Sequence, residues 1–466
     1  MHGQNLTSGP ITKQLWSVAW PMMLSMFFFT LYNLVDAFWV SKLSPEAIAA
    51  VSISQIALFV MVSLAMGISV GSSVVMGISL GAGKKDAAER ILGQGFLLPL
   101  CAAAFFTVIT LLFRETLLHL SGATPVIFPL ALPYFTVTAF GSVLMFLMMA
   151  TSTAFNAQGD NFTATKFFAV STLANIILDP VLIFGYVGFP AMGIAGAAWA
   201  TLISQVIFLV LALRVLGSER MMVPLRFRYF RFDWESVKRV FGIGLPASLT
   251  QTLNPLGFAA LMVIVAGAFL EAGAAAFSIG FRIEFFAFIP AIGFGFGSMA
   301  MMGQNIGAGN FERVREIFKT VVRLASGAAL AFGALAFVFA PLIVGVFTRD
   351  KTVTEYALQY FRIVPLGYAF FAVAFVEASV FQGLGRSWPG FWITLGRMVL
   401  TIATAFVTVN LLHMPIWSAW SALVIGSVVS SVLGYLWVRH AIEHAKRHAI
   451  IEHTASAEES MPTPIA

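Results

Sequence analysis

The stretch SVVMGISLGAGKKDAAERI, residues 73–91, returns later in the chain as SMAMMGQNIGAGNFERVREI, residues 298–317. Gly83 and Gly309 lie 226 residues apart, and AFNAQGD (154–160) and VFQGLGR (380–386) pair Gly159 with Gly385 at the same separation. A register kept over that distance marks an internal duplication, so the fold must be built twice from one plan.

Each copied motif is set among long apolar runs. Of the 466 residues, 59% are hydrophobic and 10% charged, with mean hydropathy +0.90. Soluble domains carry roughly a quarter charged residues, so a water-soluble fold is excluded. A helix needs roughly 20 apolar residues to cross about 30 Å of hydrocarbon, and twelve such spans can be drawn. The first copy holds Gln14–Val40, Ala47–Leu80, Ile91–Leu112, Phe128–Ala150, Phe162–Gly185 and Met192–Leu213. The second holds Val240–Phe269, Ala275–Ile306, Ile317–Phe347, Thr354–Gln382, Gly390–Leu412 and Ile416–Val438.

Six spans per copy is an even number, so both copies have the same orientation and are related by an axis along the membrane normal. The expected fold is an all-α polytopic membrane protein of 12 transmembrane helices, in two parallel-repeat six-helix lobes that face one another. Its parts are an N-terminal segment (1–13), a first lobe (14–213), a basic linker (214–239), a second lobe (240–438) and a polar, loose tail (439–466). The first span is too long for a signal-peptide core and lacks a small-residue cleavage pattern, so it is read as retained. Cys101 is the one cysteine, which excludes an intrachain disulfide.

The net charge of +6 reads as topology, because twenty of the 27 Lys and Arg fall in segments on one side of the spans, four on the other, and three (Arg282, Arg362, Arg397) within spans. By the positive-inside bias both termini are cytoplasmic, in a multi-pass protein of the plasma (inner) membrane. The linker motif RFRYFRFDW (226–234) interleaves Arg with aromatics. That pattern suits a belt against anionic membrane lipid better than nucleic acid, which is not expected as a partner.

Ionisable groups within spans cost about 2.5 to 3.5 kcal/mol by insertion scales and are functional candidates by default. Four acids qualify: Asp36, Asp179, Glu284 and Glu377. Asp36 and Asp179 lie about 6 and 9 Å from the outer ends of spans 1 and 5, at similar heights. Asn175 is one turn before Asp179, and Tyr32 and Asn33 one turn before Asp36. Tyr134 in span 4 and Thr201 in span 6 fall in the same outer half. In the second copy Ala405 stands at the place of Asp179, Thr401 at that of Asn175, and Leu261 or Met262 at that of Asp36. Acids confined to one lobe point to a coupling-cation site; the plain alternative is that they hydrogen-bond helices together. Pro21 interrupts span 1 and favours a kink, by which neutralising the acid at the far end could bend the helix.

Glu284 and Glu377 are possible secondary polar sites with Asn33. Glu377 is either the second lobe's counterpart cation site or an acid solvated near the helix end, and Glu284 is expected to pair with a group on another helix. Arg362 and Arg397 are read as snorkelling to the interface. His440, His444 and His448 share one helix face but lack a carboxylate or thiolate shell, so no metal site is assigned. The glycines at 81, 83, 307 and 309 are read as helix breaks, because no Lys-Ser/Thr follows and no strand precedes.

With these residues in view, the chain resembles the multidrug and toxic compound extrusion (MATE) family, and its DinF-like branch more than its NorM-like branch. The resemblance rests on LYNLVDAFWV (31–40), the two GAG motifs (81–83, 307–309), FNAQGD (155–160) and NIILDPVLIFG (175–185). It implies a V-shaped, MATE-like pair of lobes in a monomer without cofactors. The implied activity is antiport, in which inward H+ or Na+ drives export of amphipathic or cationic drugs or toxic metabolites by alternating access. Asp36, Asn175, Asp179 and Thr201 match the family's first-lobe cation site, Tyr134 joins it, and Pro21 matches the proline where the first helix bends. Span 7 has no acid, so the NorM-like second-lobe acidic pair is incomplete here. A lipid or oligosaccharide flippase shares the wider architecture but favours a groove rich in Arg and Lys. An enzyme is not expected: the contexts Val35-Asp36 and Leu178-Asp179 lack the Tyr-Asp and Gly-x-Gly-Asp motifs of intramembrane aspartyl proteases, and no catalytic residue is assigned.

Overall fold

A computed structural model describes residues 3–459. Among them every regular element is helical, and all twelve spans are present. The first six are Ile11–Ser41, Pro45–Gly81, Lys85–Leu112, Phe128–Ala157, Asn161–Phe184 and Ile194–Leu216. Spans 7 and 8 run together as Trp234–Gly307, divided at Leu270, whose φ of 54° takes it out of the helical basin. The last four are Phe311–Val338, Lys351–Gly383 with a 3-10 turn at Val364–Gly367, Ser387–Leu411, and a final helix that starts at Trp417.

The chain divides into two compact units, one built mainly from Trp16–Met76 and Lys85–Thr252, the other from Leu253 onward with Leu6–Leu15 and Gly77–Lys84. The duplication reaches into fine geometry. Short helices start at Arg114 and Ala340, 226 residues apart. Gly83 and Gly309 share φ of 70° and 72°, and Gly159 and Gly385 share 72° and 73°. Even two non-glycine residues in the left-handed region, Val187 and His413, stand in this register. Left-handed backbone is costly for L-residues, so its recurrence reflects an inherited turn rather than chance.

The two glycines of each GAG motif divide their work. Gly83 and Gly309 have open space around the missing side chain and serve the left-handed turn that ends a helix. Gly81 and Gly307 instead permit close approach: a Cβ on Gly81 would lie 1.8 Å from the Gln304 carbonyl oxygen, and one on Gly307 would lie 2.0 Å from that of Ile78. Reading all four as helix breaks is therefore corrected for Gly81 and Gly307. Beside them the N-terminal segment is tied down, with the Leu6 N–H donating to Gln304 Oε1 (3.0 Å) and Asn305 Nδ2 donating to the Leu6 carbonyl (3.0 Å).

The linker packs its backbone on span 3. Arg228 bridges to Glu89 at 3.2 Å, and the Gln94 amide donates to the Arg231 carbonyl. Phe227, 86% exposed, and Phe232 and Trp234 face outward. The last helix continues span 12 to Glu459, buries Ala441 and Ile442, and joins Lys446 to Glu312 at 2.5 Å. The rings of His440 and His444 lie 6.3 Å apart, whereas the side chain of His448 is outside the described residues.

Candidate functional site

Spans 1 and 5 both end five residues beyond their aspartates, at Ser41 and Phe184, so Asp36 and Asp179 stand at one height. Both are buried, and close enough to interact electrostatically. Asn175 Nδ2 donates to Asp179 Oδ1 at 3.1 Å, the i to i+4 contact that the helix period provides. Tyr134 and Tyr32 lie within the field of both carboxylates, and the Tyr32 hydroxyl donates to Thr201 Oγ1 at 2.7 Å. Gln55 from span 2 reaches the Tyr134 phenol. The site therefore draws on spans 1, 2, 4, 5 and 6.

Three oxygens stand out: Asp36 Oδ1, Asn175 Oδ1 and Asp179 Oδ2 are buried without a hydrogen-bond partner among the described residues. A carboxylate removed from water needs compensating donors or a cation, so acceptors left open in a cluster of carboxylates, amide and hydroxyls make a receptor for a proton or small hard cation.

Asp36, Tyr134, Asn175, Asp179 and Thr201 are thus brought together. Asn33 is not joined to them by a hydrogen bond; its amide turns back to the Phe29 carbonyl at 2.7 Å. Tyr32, singled out only as a neighbour of Asp36, is an integral member. Gln55 was missed, although a glutamine inside an apolar run was signal enough.

Pro21 removes one rung of the span 1 helix, which nevertheless continues through it. Span 5 supports this weak turn. Asn161 Nδ2 donates to the Val18 carbonyl at 2.9 Å, Thr165 Oγ1 lies 2.8 Å from the Pro21 carbonyl, and the Ser25 hydroxyl meets Thr165 at 2.7 Å. Thr165→Val keeps the shape and deletes the donor. Amide hydrogen exchange over residues 17–25 should accelerate several-fold; unchanged exchange would show that these bonds do not restrain the bend.

The second lobe has its own polar centre. Tyr360, 226 residues after Tyr134, is buried and donates to Glu284 Oε2 from span 10 to span 8, which supplies the expected partner from another helix. Arg397 lies ten residues inside span 11, about 15 Å along the helix, counted from Ser387. Its Nη2 donates to Asn254 Oδ1 at 2.7 Å and its guanidinium carbon lies 5.3 Å from the Phe371 ring centroid, so the snorkelling expected for it is corrected. Glu377 is fully buried, with both carboxylate oxygens unpartnered among the described residues and one beside Gly434. Solvation at the helix end is thereby excluded for it.

The chain as a whole has known counterparts. The family model MatE matches residues 21–181 and 246–407, one match in each copy. Among curated proteins, an "FAD transporter" of Shewanella oneidensis is 29% identical over 406 residues, covering 86% of this chain and 88% of the relative. A "Probable multidrug resistance protein NorM" of Thermotoga maritima is 25% identical over 431 residues, 92% of each. Among solved structures, an outward-facing multidrug resistance transporter of the MOP superfamily superposes with TM-score 0.89 at 27% identity, over 96% of this chain and 99% of its own.

Proposed function

We propose, from the premise that this chain belongs to the MatE family and is a multidrug efflux transporter rather than an enzyme, that it is an antiporter whose coupling cation binds at Asp36 and Asp179. The observation that carries this reading is the pair of buried, unpartnered oxygens, Asp36 Oδ1 and Asp179 Oδ2. An entering H+ or Na+ neutralises the cluster formed with Tyr32, Tyr134, Asn175 and Thr201. Neutralisation lets span 1 bend at Pro21, which shrinks the first-lobe cavity and expels cargo; release of the ion on the other side resets the cycle. Each net charge moved down 100 mV supplies about 2.3 kcal/mol, enough for a roughly 50-fold gradient of an uncharged cargo.

The cargo is amphipathic small molecules, and the relative named an FAD transporter makes flavin nucleotides one cargo to assay beside cationic dyes. The working form is a monomer in the plasma membrane with both termini cytoplasmic, since the linker and the segments after both GAG motifs concentrate positive charge. Exposed Phe227, Phe232 and Trp234 then lie against anionic lipid.

The deciding experiment is cargo movement in reconstituted vesicles with a pH gradient and a sodium gradient imposed separately. One of them should drive concentrative export of a fluorescent cation. Transport that equilibrates but never concentrates under either gradient would overturn coupling.

A further inference from the structure

We propose that Arg397 anchors an oxyanion subsite in the second lobe, so that the cargo includes amphipathic organic anions: a carboxylate or phosphate on an aromatic body. This rests on the antiport reading for the fate of the ligand, though not for its binding. A guanidinium offers five N–H donors in a planar fork. Among the described residues one of these is used, by Asn254 Oδ1 at 2.7 Å. Arg397 is half-buried and Asn254 exposed, so the remaining donors are reachable.

The nearest acid does not quench the charge. Glu284 interacts with Arg397 electrostatically but is outside ion-pair distance, and its carboxylate is engaged by Tyr360. A guanidinium at mid-span, held at one corner and unpaired at the others, matches a bidentate oxyanion better than it matches a structural strut.

The surroundings supply the rest of the ligand's chemistry. Phe371 lies against the guanidinium, and Phe258, one turn after Asn254, packs against Phe281 with ring centroids 3.9 Å apart. Phe281 is exposed, which leaves an aromatic face for a planar body. In the duplicated register Arg397 corresponds to Ser171, whose hydroxyl donates to the Ser204 carbonyl. The cationic group is therefore an acquisition of the second lobe, opposite in sign to the aspartates of the first. Its depth also separates soluble cargo from lipid, because a headgroup in either leaflet sits well above or below mid-span.

The test is equilibrium binding to the full chain in detergent, read by fluorescence anisotropy with carboxyfluorescein as the planar anion and rhodamine 6G as the planar cation. Arg397→Gln should weaken carboxyfluorescein about tenfold or more while leaving rhodamine 6G within about twofold. Arg397→Lys, which keeps the charge without the fork, should fall between and serves if the first variant does not fold. A wild-type protein that binds only the cation, or an Arg397→Gln variant that shifts both dyes equally, overturns the subsite. Displacement of carboxyfluorescein by phosphatidylglycerol but not by 1-naphthoate, an aromatic carboxylate dark at the dye's wavelength, would assign the site to lipid and overturn the cargo. Because no gradient is imposed, failed coupling in vesicles would leave this result standing, and a failed subsite would leave coupling intact.

Discussion

Asp36→Asn is expected to reduce gradient-driven efflux to the level of passive leak while leaving a monodisperse, fully helical protein that still binds cargo. The amide matches the carboxyl in shape and retains an acceptor, so packing around spans 1, 4 and 5 is preserved. It cannot take up or release a proton, and it offers a cation less charge than Asp36 does. Asp36 Oδ1 is one of three oxygens in the cluster, with Asn175 Oδ1 and Asp179 Oδ2, that are buried without a partner among the described residues, so the substitution takes charge from one of its open acceptors. Asp179→Asn should have the same sign. There the Asn175 amide, 3.1 Å from Asp179 Oδ1, would face a group that can still accept, so folding is again spared. The measurement is concentrative efflux in vesicles alongside circular dichroism and cargo binding. Undiminished concentrative transport in Asp36→Asn would place the coupling ion elsewhere, with Glu377 the next residue to test.

Gly307→Val should have the largest effect on stability, because the space for its side chain is filled by backbone. The Cβ would meet the Ile78 carbonyl oxygen at 2.0 Å and the Ala82 nitrogen at 2.8 Å, and no rotamer change relieves a clash with main chain. Overpacking ordinarily costs about 1 to 3 kcal/mol when side chains can yield; here whole helices must separate, and the end of span 2 would lose its seat against span 8. Gly81→Val mirrors it through the Gln304 carbonyl at 1.8 Å. Gly309→Ala is the control, with nothing near its Cβ and only a left-handed φ of 72° to oppose it, a penalty of about 1 kcal/mol. Heat-induced loss of the monodisperse peak on size-exclusion should shift strongly for Gly307→Val and slightly for Gly309→Ala. Equal shifts would show that the motif serves loop conformation alone.

The membrane-spanning architecture was legible in the sequence almost completely. The break drawn between Phe269 and Ala275 contains Leu270, where the long helix turns, and the duplicated register holds down to the φ of paired glycines. Five of the residues singled out for the cation site converge, because their spacing along helices of known period already set their height and face. Misreadings share one cause: each concerned a group whose environment comes from distant chain. Arg397 was read as snorkelling until span 7 presented Asn254 to it, and the solvated alternative for Glu377 stood until Gly434 closed over it.

Hydropathy, charge bias and repeat register are properties of one strand of text, and they sufficed for twelve crossings, for two parallel copies and for the asymmetry that leaves Asp36 and Asp179 without acidic counterparts in the second copy. Whether a polar atom has a partner is a property of neighbours contributed by other helices, so the open oxygens of Asp36 and Asp179, the clamp on Pro21 and the reachable fork of Arg397 emerged only on folding. In a bilayer this distinction carries unusual weight, because outside a water-filled cavity no water is present to complete what the protein leaves unpaired.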